Sequence, residues 1–315
     1  MTIFSRRQFL TDCLKYSAAG CASGLATELL AGESSASSGL IKRELPGSNK
    51  AICAIGMGTW RTFNIGSDKQ AQLHRTNIVD LFFQSGGQMI DSSPMYGSAQ
   101  RVLGHSLRQL NYPPTLFAAE KVWSSDGGAT RSDIQQTASN WGINTFDLMQ
   151  VHNLLSWEQH LETLQAMKAN GDITYLGMTT SHGRRHRDLE NIMLNNPLDF
   201  VQLTYNIFDR EVEQRLLPIA NEKNIAIIAN RPFQGGSLIR RLKSKQTPLP
   251  DFARDIDCDN WSHFLLKFVI SHPAVTFAIP ATSQLEHMVE NMGAARGALP
   301  DHKQRQAMID YLQSI

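Results

Sequence analysis

LFAAEKV at positions 116–122 and LMQVH at positions 148–152 are the two short apolar runs from which the fold can be worked out. Between them lies a segment of helical character, 132–141. A strand, a helix and a second strand at this spacing predict two parallel strands joined by a crossover helix. We therefore interpret this stretch as one unit of an α/β fold.

The same alternation extends in both directions from this unit. A first strand is predicted to end at Thr59, and five further apolar runs lie at 89–90, 175–178, 200–203, 226–229 and 275–279. Segments of helical character lie between or after them, at 70–84, 99–110, 157–170, 212–223, 260–271 and 301–312. Eight strands that alternate with helices predict a closed parallel (β/α)8 barrel, or TIM barrel, as the fold class.

An open, doubly wound sheet is the alternative fold. It calls for a Gly-x-Gly-x-x-Gly turn after the first strand, and Gly56-Met57-Gly58-Thr59 does not continue that way. Ahead of the first strand, Pro46-Gly47-Ser48-Asn49 has the composition of a turn between two apolar runs, which predicts an N-terminal β-hairpin. We find no repeat or linker after this point, so residues 37–315 are expected to form one barrel domain.

The composition narrows the class of ligand. The chain has 315 residues, and its 30 Lys and Arg nearly balance its 29 Asp and Glu, which leaves a formal charge of +1. No overall field therefore attracts nucleic acid or an anionic membrane. A small molecule that is recognised individually is the better expectation.

The first residues resemble an export address. Ser5-Arg6-Arg7-Gln8-Phe9-Leu10 resembles the twin-arginine motif. The mildly apolar stretch 13–31 that follows is interrupted by Lys15 and Glu28 and is too weakly apolar for a stable membrane span. We expect residues 1–36 to be a twin-arginine signal segment, recognised by the twin-arginine export machinery, and the protein to be periplasmic or otherwise exported. The alternatives are a basic amphipathic start to the domain, or lipidation at Cys21.

Chemistry in a barrel is found where strands end, and few polar residues lie there. Asp91 follows the second strand, five residues before Tyr96, and His152 ends the fourth. Lys121 lies within the third strand, where an ammonium group is costly to bury unless it is paired. Asp91 is its natural partner, and we expect the pair to lower the pKa of the Tyr96 phenol towards neutrality.

These residues resemble the aldo-keto reductases, whose members use an Asp-Tyr-Lys-His tetrad from successive strand ends. The matches run in order along the chain: Gly58-Thr59-Trp60, Asp91 to Gly97, Lys121, and Gln150 to Asn153. The resemblance implies hydride transfer from NADPH, with NADH also possible, to a small aldehyde or ketone. It implies that Tyr96 donates the proton, that Asp91 and Lys121 tune the phenol, and that His152 positions the substrate.

The resemblance also assigns residues to the cofactor. They are Gly58, Thr59, Trp60, Thr179, Thr180, Gln202, Arg231, Phe233, Thr282, His287, Glu290 and Asn291, and Gln202 is expected to hold the nicotinamide amide.

The family pattern is altered in three places. Thr179-Thr180 replaces a Ser-Asn pair, and Arg231 stands near where an aromatic ring usually stacks on the nicotinamide. At the adenosine phosphate the chain has Ala281, Thr282 and His287 in place of Lys, Ser and Arg. Basic residues of the stretch 240–243 are the candidates to replace those cations from a loop.

Two other functions fit parts of this pattern. A catalytically idle nicotinamide-binding or scaffold protein could use the same barrel, since a fold does not dictate a function. A metal-dependent hydrolase could use His152, His182, Asp91 and Lys121 at strand ends, although more ligands would be needed, and we assign no metal residues. Each residue also has an ordinary structural interpretation, in which Lys121 is a surface lysine and His152 a core histidine. Cys53 lies in an apolar run and is expected to be a buried hydrophobic residue.

Overall fold

Eight parallel strands form one sheet in the computed structural model, which describes residues 39–315. Two hairpin strands precede these eight strands in the chain, so the eight are numbered β3 to β10. They are Met57–Gly58, Met89–Asp91, Phe117–Val122, Phe146–Val151, Ile173–Thr179, Phe200–Thr204, Ala226–Asn230 and Phe277–Ala278. Each strand pairs in parallel with its neighbour in the sequence.

The first and last of these strands are also joined, so the sheet closes on itself. A parallel bridge links Ile55 to Ala278, and the backbone N–H of Gly56 donates to the carbonyl of Ala278 at 2.9 Å. The N–H of Gly58 donates to the carbonyl of Pro280 at 3.0 Å. The predicted (β/α)8 barrel is confirmed.

A hairpin covers the amino-terminal end of the barrel. Its strands β1 (Lys42–Glu44) and β2 (Ala51–Cys53) are antiparallel, as the turn composition predicted. Leu45 and Ile52 belong to the same buried cluster as Phe117, a residue of the barrel interior. Apolar side chains thus fill this end of the described barrel, and the carboxyl ends of the strands lie at the opposite end, where TIM barrels bind their ligands.

Ten α-helices surround the sheet or follow it in the described part of the chain. They are α1 to α10 in order: Lys69–Gln84, Ala99–Gln109, Thr130–Trp141, Trp157–Ala169, His186–Asn195, Leu216–Glu222, Ser237–Ser244, Trp261–Ile270, Leu285–Gly293 and His302–Gln313. None of the helices between residues 39 and 315 has the length and apolar character needed to cross a membrane.

The prediction of one helix over 212–223 is wrong. A 3-10 turn at Glu211–Glu213 is followed by a separate helix, α6, and Arg215 between them has a non-helical φ of −134°. Pro218 explains the break, because it lacks an N–H and is tolerated only in a first helical turn. The basic residues at 240–243 lie in helix α7 and not in a loop.

The predicted signal segment, residues 1–36, and its possible lipidation site Cys21 lie outside the described residues. Cys53 and Cys258 are both buried and free, and burial raises the pKa of the Cys258 thiol to about 12 and also raises that of Cys53. The prediction for Cys53 is confirmed.

Candidate active site

Lys121 and Asp91 form a buried ion pair at the carboxyl end of the barrel. The Nζ atom of Lys121 lies 2.6 Å from Oδ2 of Asp91 and donates to the carbonyl of Ser92 at 2.6 Å. Strands β4 and β5 pair Asp91 with Ala119, so that Lys121 is one inward-facing position further along. Lys121 is only 1% exposed, which excludes its interpretation as a surface lysine.

Two glutamine side chains hold the other oxygen of Asp91. Gln202 Nε2 donates to Oδ1 at 2.8 Å and Gln150 Nε2 donates to it at 3.2 Å. All three side chains are buried. The carboxylate is thus fully hydrogen-bonded and kept in one orientation. Gln150 belongs to one of the family motifs, but the motif did not predict its hydrogen bond to Asp91.

A tight turn places Tyr96 beside this pair. The residues Pro94–Tyr96 form a 3-10 turn, capped by Ser93, whose Oγ accepts from the N–H of Met95 at 3.2 Å. The Lys121 ammonium lies 5.4 Å from the centre of the Tyr96 ring. Gly97 ends the turn with a φ of +63°, a conformation in which a side chain would be strained.

The expectation that the pKa of Tyr96 is lowered is wrong. Burial raises the pKa of the phenol to about 12, although the charge of Lys121 acts to lower it. The physical reason is that the loss of hydration penalises the phenolate, and that the charges of Asp91 and Glu120 oppose the effect of the Lys121 ammonium. Tyr96 is therefore protonated at neutral pH, which is the form that a proton donor needs.

His152 faces Tyr96 edge-on, with 5.8 Å between the ring centres. Burial, followed by the charge of Lys121, lowers the pKa of His152 to about 3, so the imidazole is neutral. Its Nδ1 lies 2.8 Å from Oγ of Ser93. The Ser93 hydroxyl can donate to Nδ1 while its oxygen accepts from the N–H of Met95, and this arrangement would place the proton of His152 on Nε2.

A cleft of about 540 Å³ opens above these side chains, a volume in the usual range for ligand pockets. Every predicted cofactor residue lines it, as do Asp91, Tyr96 and His152. Lys121 lies beneath the cleft floor. The structure therefore brings together all the residues that the sequence singled out.

The residues at the nicotinamide end fit a carboxamide. The Oγ1 atom of Thr180 is buried and has no hydrogen-bond partner in residues 39–315. Thr179, by contrast, uses its hydroxyl to accept from the N–H of Asn153 at 3.0 Å. A buried hydroxyl without a partner is costly, so Thr180 is suited to receive a polar group of a ligand.

Arg240 is the one member of the basic stretch 240–243 that lines the described pocket, and His287 lines it too. Arg241 instead lies over the ring of Phe208, at 4.7 Å from its centre. The guanidinium of Arg231 lies 5.6 Å from the centre of the Trp60 ring.

Glu120, which the sequence reasoning missed, lies on the outer side of strand β5. It is fully buried, and its Oε2 accepts from Trp141 Nε1 at 2.8 Å and from Gln100 Nε2 at 3.0 Å. Burial raises the pKa of this carboxyl to about 7, although Lys121 acts to lower it. A charged residue in an apolar strand was the signal that could have found it.

Within residues 39–315, no group of three or more His, Cys, Asp or Glu side chains is placed to hold a metal ion. The alternative of a metal-dependent hydrolase therefore gains no support from this part of the chain.

Comparisons with known proteins show which family the chain belongs to. The model of the aldo/keto reductase family matches residues 54–310. The methylglyoxal reductase YeaE of Escherichia coli is 25% identical over 247 residues, which cover 76% of this chain and 84% of that one. An NADH-specific methylglyoxal reductase of the same organism is 21% identical and covers 62% of this chain and 68% of its own length.

Solved structures share the fold. A reductase of Klebsiella pneumoniae, in complex with NADP and acetate, superposes with a TM-score of 0.71 over 85% of this chain and 93% of that one, at 22% identity. At this identity the likeness extends to the architecture alone. Because the family model spans nearly all of the barrel, the chain belongs to the aldo/keto reductase family.

Proposed function

We propose that the protein reduces the carbonyl group of small aldehydes or ketones with a nicotinamide cofactor, and that Tyr96 donates the proton. The observation that carries this proposal is the meeting of a protonated phenol, a neutral imidazole and a buried Lys-Asp pair at one end of the cleft. Membership of the aldo/keto reductase family supports the same reaction.

The protonation state of each side chain decides its role in the proposed reaction. Nε2–H of His152 is the group that holds the carbonyl oxygen, because the imidazole is neutral and its other nitrogen faces Ser93. Tyr96 gives its proton to that oxygen, and the nearby Lys121 ammonium stabilises the phenolate that forms. Asp91 keeps Lys121 charged and in place.

A bound nicotinamide supplies the hydride for this reaction. Thr180 and Gln202 would hold its carboxamide, and Thr282, Glu290 and Asn291 line the opposite end of the cleft, where the adenosine would bind. Arg240 is the cation available for a 2′-phosphate, so NADPH is the preferred cofactor. The existence of an NADH-specific relative keeps NADH as the second candidate.

The test is a titration of the protein with NADPH and with NADH, followed by oxidation of the bound cofactor by methylglyoxal. Intrinsic tryptophan fluorescence, to which Trp60 of the cleft lining contributes, reports binding. We expect Tyr96→Phe to bind NADPH as the wild type does and to lose reduction by about 10²- to 10⁴-fold. Tyr112→Phe, a matched change outside the cleft, is expected to react normally.

Two outcomes would contradict the proposal. Equal rates for wild type and Tyr96→Phe would show that another group donates the proton. Failure of both nucleotides to bind would favour the catalytically idle alternative, in which the barrel is a scaffold.

We also propose export through the twin-arginine pathway, which rests on the Ser5–Leu10 motif alone. Replacement of both Arg6 and Arg7 by Lys is expected to retain the protein in the cytoplasm, as measured by cell fractionation and immunoblotting. The control is the same double change at Arg184 and Arg185, an adjacent pair within the barrel. Unchanged export after the Arg6 and Arg7 replacement would contradict this proposal.

A further inference from the structure

Two arginine side chains lie against one tryptophan ring at the mouth of the cleft. The Cζ atom of Arg61 is 4.4 Å from the centre of the Trp60 ring, and that of Arg231 is 5.6 Å from it. All three residues line the cleft. Both arginines have a backbone in the left-handed region, with φ of +62° for Arg61 and +55° for Arg231, a costly conformation that clusters at ligand-binding sites.

Neither guanidinium has a hydrogen bond or an ion pair with any residue of the described barrel. The nearest acidic influence on Arg231 is Asp209, whose carboxylate already accepts from Asn206 Nδ2 at 2.7 Å and from Gln234 Nε2 at 3.0 Å. Arg185, on the same rim, is different, because its Nε donates to Asp188 at 2.8 Å. Two unpaired positive charges against one ring repel each other, and an anion between them would relieve that repulsion.

The arginine pair lies on the side of the cleft that carries His152. The Trp60 ring meets the ring of His182 edge-on at 6.4 Å, and His182 Nδ1 is 3.0 Å from Oγ of Ser181. That hydroxyl donates to Oδ1 of Asn153, the residue after His152, at 3.0 Å. Burial, followed by the charge of Arg231, lowers the pKa of His182, so the positive charge of this rim resides on the arginines.

We propose that Arg61 and Arg231 recognise the carboxylate of an anionic carbonyl substrate, such as a short 2-oxo acid or semialdehyde acid. This inference rests on the proposed carbonyl reduction and names its substrate class. Planar guanidinium groups bind carboxylates through paired, charge-assisted hydrogen bonds, and the apolar face of Trp60 limits competition from water. The pyrophosphate of a dinucleotide has similar oxyanion chemistry, so the experiment must separate the two ligands.

The experiment measures binding of oxamate, a carboxylate that the protein cannot turn over, in the presence of saturating NADP⁺. Oxamate is titrated by calorimetry into the wild type, Arg61→Met and Arg231→Met. Arg241→Met, whose guanidinium lies on Phe208 outside the cleft lining, is the control. A second pair, Arg61→Lys and Arg231→Lys, keeps the charge in case a methionine variant fails to fold.

We expect each methionine variant to bind oxamate about 10- to 100-fold more weakly than the wild type, and each lysine variant to recover part of that loss. The dissociation constant of NADPH should change less than about twofold. In turnover, the preference for glyoxylate over the neutral glycolaldehyde, which has the same number of carbons, should fall by about the same factor.

The opposite results would overturn the inference. Oxamate binding that appears only when NADP⁺ is left out, or variants that weaken NADPH binding and leave oxamate binding unaffected, would assign the arginines to the cofactor pyrophosphate. Absence of oxamate binding to the wild type would remove the site altogether. Because oxamate binding needs no turnover, a protein that binds oxamate and reduces no carbonyl would contradict the proposed function and support this site.

Discussion

The side-chain amide of Gln202 donates a hydrogen bond of 2.8 Å to Oδ1 of Asp91, a residue 111 positions earlier in the chain. The family resemblance assigns that amide to the nicotinamide. In the structure it orients the carboxylate of the buried ion pair, and the hydroxyl of Thr180 nearby is without a partner in the described chain. The contact to the cofactor amide is thus expected to depend on Thr180 more than the family pattern suggests.

Thr180→Val tests whether the Thr180 hydroxyl binds the cofactor amide. Valine has the shape of threonine and removes only the hydroxyl, so NADPH should bind about tenfold more weakly, as measured by fluorescence titration. The variant should be as stable as the wild type or more so, because the hydroxyl it removes is buried and unpartnered. Thr179→Val is the control, and it should lose stability because its hydroxyl accepts from Asn153. Unchanged NADPH affinity in Thr180→Val would contradict the assignment.

Lys121→Met is expected to destabilise the protein by about 3–5 kcal/mol, since it leaves the Asp91 carboxylate buried without its partner. Unfolding in urea measures the change. The double variant Lys121→Met with Asp91→Leu should recover much of the loss and remain inactive, because the proposed proton transfer depends on the charge pair and folding does not. A double variant as unstable as the single one would show that the pair itself supports the fold.

Glu120 is expected to make stability depend on pH. Its pKa of about 7 in the folded protein lies above the ordinary value of 4.5, so the folded state holds a proton that the unfolded state releases. The contribution is fully present below about pH 4.5 and is lost as the pH rises through 7. When the pH is raised from 5 to 8, the wild type should therefore lose stability relative to Glu120→Gln, by on the order of 1–3 kcal/mol in the free energy of unfolding.

Urea unfolding at both pH values measures this difference. Glu222→Gln, a change at an exposed carboxylate, should show none of it. If wild type and Glu120→Gln respond identically to pH, the carboxyl is ionised throughout.

The rate of reduction should be nearly independent of pH between 5 and 9. Burial keeps the pKa of His152 at about 3 and that of Tyr96 at about 12, so both groups stay neutral over this range. Because the pKa of the Tyr96 phenol is raised and not lowered, the phenol keeps its proton as the pH increases to 9. Single-turnover oxidation of bound NADPH isolates the chemical step. A loss of rate with an apparent pKa near 7 that persists in Glu120→Gln would assign a titrating group to the reaction.

Much of the fold was predictable from the sequence because it depends on local patterns. Short apolar runs and helical segments alternate, and the resulting strand ends place Asp91, Lys121 and His152 at one rim. The pairing of Lys121 with Asp91 followed from the cost of burying an ammonium group. The helix break near Pro218 was missed, and so were helices α5, α7 and α9, which are short, at 10, 8 and 9 residues.

Only the tertiary structure decided which residues far apart in the chain are in contact. It also decided how burial and neighbouring charges combine to set the pKa values of the site. The register of the closed barrel brings Gln202 to Asp91, and the closure of the barrel brings Arg231 to Trp60. The pKa of Tyr96 also depends on hydration, which the fold removes, as much as on the neighbouring ammonium. The sequence by itself determined which side chains reach the rim, because periodicity is local. Their partners and ionisation depend on distances that exist only after the sheet has closed.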